Sequence, residues 1–220
     1  MDRAPIRLAS GAELRLTGPR GAPAVVLANG GQAAEVEGTW SATLEWLVGR
    51  LARRFPALAF AEVRYRIKSW KRLDLCEEDL RAAVAEVGAP RTLLAGFSMG
   101  GAVASLAADA PGVEGVLGLA PWLPDRLDLG RLVGRRLDVL HGTLDRWLPG
   151  VPGVSPVLSR RGFDRAAALG VPGTYELIPG AVHGAALRAP WGALVPLPRA
   201  GAWANRAAAV VERYAATRQQ

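Results

Sequence analysis

The sequence predicts an α/β fold, a mostly parallel eight-stranded sheet flanked by helices, from three observations. Short, continuously apolar runs such as Ala24-Val25-Val26-Leu27-Ala28 suit strands buried on both faces of a sheet. These runs alternate along the chain with segments whose apolar residues recur every three or four positions, the period of an amphipathic helix. The 220 residues are 50% hydrophobic and 21% charged, which suits one compact domain over residues 1–220 with a substantial core.

Taken in order, residues 6–9 and 13–17 alternate apolar with polar around Ser10-Gly11 and read as an antiparallel hairpin at the sheet edge. Residues 24–28 form the third strand, stopped by Asn29-Gly30-Gly31. Trp40, Leu44, Leu47, Val48, Leu51 and Phe55 then mark a helix capped by Thr39 or Ser41. Strand 58–64, helix 77–87, strand 92–95, helix 102–110 and strand 113–119 continue the alternation, which a right-handed, doubly wound topology requires. Strands 137–140 and 174–178 follow, with a helix over 163–169 between them, and residues 203–217 close the chain as a helix. The proline-rich stretches 149–156 and 190–198 read as ordered loops. No internal repeat or low-complexity linker is present.

Composition narrows the function classes. No apolar run is long enough for a membrane span, and residues 1–5 do not open a signal peptide, so a cytoplasmic location without membrane association is expected. Cys76 is the one cysteine; a disulfide within the chain and a cysteine-rich metal site are both excluded, and Cys76 reads as a packing residue. The net charge of +7 is carried almost entirely by arginine in a chain also rich in alanine and glycine. That joint bias is a composition effect and does not call for a nucleic-acid partner. With no phosphate-binding loop, dinucleotide fingerprint or metal-ligand cluster, neither a cofactor nor a metal is expected.

The segment that carries chemistry is Gly96-Phe97-Ser98-Met99-Gly100-Gly101, directly after the buried strand 92–95 and directly before a helix. A Gly-x-Ser-x-Gly turn between strand and helix is so sharp that small residues must stand two places before and after the serine. Gly96 and Gly100 meet that need, and the helix start directs its unpaired N–H groups, that of Met99 first, at charge developing beside Ser98.

A serine nucleophile needs a base, and the chain has two histidines. His141 ends an apolar strand, where a backbone-bonded structural role is expected. His183 stands in Pro179-Gly180-Ala181-Val182-His183-Gly184 after the last strand, and its flanking glycines leave it free to reach Ser98. The acid that orients the imidazole should follow the penultimate strand. Asp145 occupies that place in His141-Gly142-Thr143-Leu144-Asp145, ahead of its competitors Asp125, Asp128 and Asp164. A second oxyanion donor is expected from the loop Asn29-Gly30-Gly31-Gln32.

These segments, in this order over nearly the whole chain, resemble the α/β-hydrolase fold family. The resemblance implies Ser98, Asp145 and His183 as a catalytic triad, and backbone N–H groups of Gly31 and Met99 as oxyanion donors, with Gln32 as an alternative. Asn29-Gly30 stands where many members have His-Gly. Only residues 121–136 occupy the usual place of a lid, so no large lid domain is expected, as in the small esterase, thioesterase and dienelactone-hydrolase-like members.

The expected activity is hydrolysis of a small carboxylic ester or thioester through an acyl-enzyme on Ser98. Acyl transfer by the same triad and a catalytically silent binding scaffold are the alternatives. Arg64, Arg66, Lys68, Lys71 and Arg72 cluster after the fourth strand, at the edge where open α/β sheets bind ligands. An anionic substrate would suit them, although a solvated arginine-rich loop has the same sequence. Gln32, Arg64, Trp122 and Trp147 are the candidate substrate contacts; Trp191, after the histidine loop, is a further aromatic at this edge.

Overall fold

The computed structural model describes residues 4–146 and 153–216. Its strands are β1 (Ile6–Arg7), β2 (Glu13–Thr17), β3 (Ala24–Ala28), β4 (Val36–Glu37), β5 (Ala59–Arg64), β6 (Ile67–Lys68), β7 (Thr92–Phe97), β8 (Val113–Leu119), β9 (Arg136–Gly142), β10 (Gly173–Ile178), β11 (Ala186–Arg188) and β12 (Leu194–Pro196). The helices are α1 (Ala42–Arg54), α2 (Leu73–Val87), α3 (Met99–Leu106), α4 (Pro156–Ala168) and α5 (Ala200–Ala216).

Eight strands form the central sheet in the order β1-β2-β5-β3-β7-β8-β9-β10. The β1–β2 and β2–β5 pairings are antiparallel and the remaining ones parallel, the mostly parallel eight-stranded sheet that the sequence predicts. Every residue of β3 is buried, as its unbroken apolar run requires of a strand covered on both faces. One core cluster joins the sheet to α1 and α5 around Leu44, Leu47, Trp203 and Val211. The other joins the opposite face to α2 and α3 around Leu80, Ala83, Val103 and Ala107.

From β3 the chain passes through α1 to β5 on one side and then through α2 to β7 on the other. Strand order therefore reverses at β3, which opens a crevice beyond the carboxyl ends of β3 and β7, where open α/β sheets place their ligands. Between β8 and β9 only residues 120–135 intervene, with a single 3-10 turn at Gly130–Leu132, so no lid domain is inserted there.

Several boundaries differ from the sequence reading for physical reasons. Helix α3 starts at Met99, not Ala102, because Gly100 and Gly101 are helical despite their low propensity: a Cβ at Gly101 would collide with Pro121. Helix α2 starts at Leu73, after a 3-10 turn at Trp70–Arg72, and α4 starts at Pro156, a residue suited to the first helical turn. Residues 190–198 are not only loop, since β12 pairs with β11 in a hairpin. A second small ribbon, β4 with β6, was equally invisible in the sequence. No described helix is long and apolar enough to cross a membrane.

Candidate active site

Ser98 occupies the turn between β7 and α3 with φ 55° and ψ −121°, a left-handed backbone that a non-glycine residue adopts only under constraint. Its N–H donates to the Leu119 carbonyl at 3.0 Å, and its own carbonyl accepts from Gly101 N–H and Trp122 N–H, each at 2.9 Å. The tight turn also needs its glycines, since a Cβ on Gly96 would run into the backbone of Gly100, and one on Gly100 into that of Ala28. Met99 opens α3, so its N–H belongs to the first turn, which has no intrahelical acceptor.

Ser98 and His183 line one cavity of about 290 Å³ beyond β3 and β7, together with Gly30, Gly31, Trp40 and Lys68. The loop after β3 is braced by Asn29, whose Nδ2 donates to the Thr39 carbonyl at 2.7 Å and whose Oδ1 accepts Gly30 N–H at 2.6 Å. Gly31 follows in the cavity wall, and a Cβ there would press on the Met99 side chain. Asn29 thus does the loop-bracing for which its side-chain amide is suited.

His183 Nδ1 lies 2.7 Å from Asp145 Oδ2, so Asp145 is the acid that engages this histidine. The His183 ring packs on Phe97 with centroids 4.9 Å apart. The chain leaving the histidine is pinned by Thr43 of α1, whose hydroxyl accepts Ala185 N–H at 3.1 Å and donates to the Ala186 carbonyl at 3.1 Å. Gly184, at φ 90°, makes the bend between them.

Asp145 is 1% exposed and His141 fully buried behind it. Asp145 Oδ1 accepts Val154 N–H at 3.0 Å, while Oδ2 also lies 3.0 Å from His141 Nε2. That nitrogen is 2.9 Å from the Val154 carbonyl as well, so facing two acceptors it carries the proton. On the other side, His141 Nδ1 meets Ser159 Oγ at 2.7 Å, and Ser159 Oγ meets the Tyr175 hydroxyl at 2.8 Å. Burial alone would raise the Asp145 pKa, but the hydrogen bonds from His141 and His183 outweigh it and hold the carboxyl below its ordinary value. His141 was expected to bond backbone, and it does; its contact with Asp145 was not anticipated.

Of the candidate substrate contacts, Arg64, Gln32 and Trp122 lie outside the cavity wall. Arg64 faces Glu13 across the β2–β5 pairing at 2.7 Å and stacks behind Trp40, with its guanidinium 5.8 Å from that ring, so it is not in the cavity wall. Gln32 uses its carbonyl to accept Trp70 N–H at 3.0 Å and is likewise outside the wall. Trp122 serves through its backbone bond to Ser98, with its ring 6.5 Å from Trp70. Trp147 lies outside the described residues, and Trp191 is 79% exposed. Thr43, which the sequence reading did not single out, is brought in by contacts distant in sequence, and Lys68, read there only as one of a basic cluster, lines the cavity itself. Cys76 is buried, its thiol pushed up to about 11 by burial, as befits a packing residue.

Asp125 forms an ion pair with Arg161 and Asp164 one with Arg160, both exposed, while Asp128 caps a turn at Gly130 N–H. None of the three competitors approaches either histidine.

No protein-family model matches the chain, and no curated protein matches it by sequence. Solved structures do share its architecture. A sugar hydrolase from Lactococcus lactis is similar with a TM-score of 0.70 at 16% identity, over 96% of this chain and 97% of that one. One of two esterases from the fungus Rhizomucor miehei has a TM-score of 0.71 at 17% identity, over 97% of this chain and 81% of its own. A serine hydrolase homologue from Coxiella burnetii has a TM-score of 0.61 at 17% identity, over 84% and 89% of the two chains.

Proposed function

We propose that this chain, which has the α/β-hydrolase fold, is a serine hydrolase that cleaves a carboxylic ester or thioester. The observation that carries the reading is a serine held at φ 55° on the strand-helix turn, in one cavity with a histidine whose far nitrogen meets a buried carboxylate at 2.7 Å. The names of the esterase and serine hydrolase neighbours support it.

In this reading Ser98 Oγ attacks the carbonyl carbon and passes its proton to His183 Nε2, the nitrogen left free because Nδ1 is engaged by Asp145. Asp145 fixes the tautomer and stabilises the imidazolium that forms. The carbonyl oxygen, now negative, is held by the N–H groups of Met99 and Gly31, in the field of the α3 N-terminus. His183 returns the proton to the departing alcohol or thiol; it then takes one from water as the water oxygen bonds the acyl carbon, and passes it to Ser98 Oγ as the bond to the acyl carbon breaks and the acid leaves.

The test is labelling with a fluorophosphonate probe, which reacts with activated serines. The expected outcome is a single adduct at Ser98, absent in Ser98→Ala and in His183→Ala while both remain folded. Loss of about 10⁴-fold or more in ester turnover should accompany each substitution. Folded wild-type protein that neither takes up the probe nor turns over short esters or thioesters would sink the reading.

A further inference from the structure

The basic cluster after β5 divides sharply once its partners are known. Arg64 pairs with Glu13 at 2.7 Å and lies 3.8 Å from Glu37. Arg66 pairs with Asp79 at 2.7 Å and Glu78 at 2.6 Å, which ties β5 to α2. Arg72 pairs with Asp74 at 3.2 Å and lies 3.6 Å from Glu35. Lys71 is exposed and outside the cavity wall. Lys68 differs from all of these: its Nζ donates to a neutral group, the Thr39 hydroxyl, at 2.8 Å, and it lines the cavity that holds Ser98 and His183.

The β4–β6 ribbon explains this placement, since pairing of Val36 with Lys68 lays the lysine across the loop that follows β3. No aspartate or glutamate is among the described residues of the cavity wall. A lysine ammonium has three donors, and the bond to Thr39 uses one. Its half-buried position lowers the Lys68 pKa, as expected of a charge that has lost water without gaining a carboxylate partner among the described residues. A group able to supply that counter-ion would recover the lost solvation.

We propose that Lys68 is a specificity-determining residue of this site, and that it selects esters or thioesters bearing a carboxylate at the far end of the substrate. The inference rests on the serine hydrolase reading for its reaction, but not for its binding. A single ammonium matches the single charge of a carboxylate, and the absence of acidic neighbours in the wall leaves an anion unopposed.

The experiment compares kcat/KM for mono-p-nitrophenyl glutarate and p-nitrophenyl valerate, which differ in the terminal carboxylate, in wild type, Lys68→Met and Lys71→Met. A second pair, 4-acetoxybenzoate and its methyl ester, places the carboxylate on the alcohol side and so identifies which half of the substrate Lys68 faces. Wild type should favour the charged member of one pair by roughly tenfold or more, and Lys68→Met should bring that ratio close to one. Lys71→Met should keep the wild-type ratio, and added salt should reduce it. Lys68→Gln, which retains a donor for Thr39, takes the place of Lys68→Met if the latter is unfolded by circular dichroism.

Equal turnover of both members of each pair by wild type labelled at Ser98, or a ratio that survives in the folded Lys68 variant, overturns the proposal. Should the protein show no turnover at all, thermal melting with glutarate decides the binding part. A rise in melting temperature for wild type that is absent in Lys68→Met upholds the anion site while the hydrolase reading falls; no rise for wild type removes both.

Discussion

Asp145 and Glu62, two of the buried carboxylates of this molecule, respond to burial in opposite ways. Asp145 is 1% exposed and Glu62, on β5, is 4% exposed, so both lose the water that stabilises an ionised carboxylate. Asp145 is met by Val154 N–H on one oxygen and by two imidazoles at the other, and its pKa is held down. Glu62 has Arg15 as its cross-strand neighbour, but Arg15 gives its guanidinium to Glu45 at 3.1 Å, and Glu62 Oε2 finds no hydrogen-bond partner among the described residues. Burial dominates there and carries the pKa up to about 7. A cation opposite in register is therefore not enough. Donors aimed at the oxygen decide the sign, and the chain places them on the acid beside His183.

The comparison breaks most visibly at Asp145. If His183 acts as the proposed base, the amide in Asp145→Asn can no longer hold it in the tautomer that presents Nε2, and ester turnover should fall by about 10⁴-fold. Fluorophosphonate labelling of Ser98 should slow in parallel. The same variant reports on pH. Because the folded pKa of Asp145 is depressed, its contribution to stability is fully present above the unfolded carboxyl pKa of ~4 and is lost as pH falls through the folded value. Urea titrations of Asp145→Asn should therefore show a shallower loss of stability than wild type below about pH 4.

Removing one of the two imidazoles at Asp145 Oδ2 sharpens the same point. His141→Phe keeps a ring of similar bulk but leaves Val154 O and Ser159 Oγ without their imidazole partner, and takes away one of the contacts at Asp145. Stability should drop by about 2 to 4 kcal/mol in urea titration, since a fully buried donor and acceptor are both lost. Turnover should fall only about tenfold, because the 2.7 Å contact between His183 and Asp145 is untouched. A loss of turnover equal to that of Asp145→Asn would place His141 among the groups on which the chemistry depends directly.

How much of this was legible in the sequence follows from the distance over which each contact acts. The eight-stranded sheet could be read from unbroken apolar runs such as β3, because burial on two faces leaves a mark in consecutive residues. Ser98 could be placed because its turn is made by glycines within two positions of it, and Asp145 and His183 because each follows a strand end within a few residues. By contrast, Thr43 holds the chain beyond His183 across 143 positions of sequence, and nothing near either residue announces it. Arg64 looked free because its partner Glu13 arrives from β2 through an antiparallel register that sequence does not specify. Lys68 could not be told from its neighbours for the same reason, since strands of two residues such as β4 and β6 carry no periodicity to read.

The other half of the comparison gives the smallest effect and the cleanest sign. Glu62 has a raised folded pKa, from 4.5 to about 7, so the folded state holds its proton over a range in which the unfolded chain has lost it. Its contribution to stability is complete below about pH 4 and declines as pH rises through about 7, beyond which a buried, partly unpartnered charge remains. Glu62→Gln removes the ionisation and keeps the shape. It should leave stability near that of wild type at about pH 5, where the folded carboxyl is largely protonated, and exceed it by about 1 to 2 kcal/mol at pH 8 in urea titration. Equal stability of the two proteins at pH 8 would mean that Arg15 turns from Glu45 to Glu62 when the carboxylate ionises. The contrast with Asp145 would then lie in a donor that moves to the charge, against donors already fixed on it.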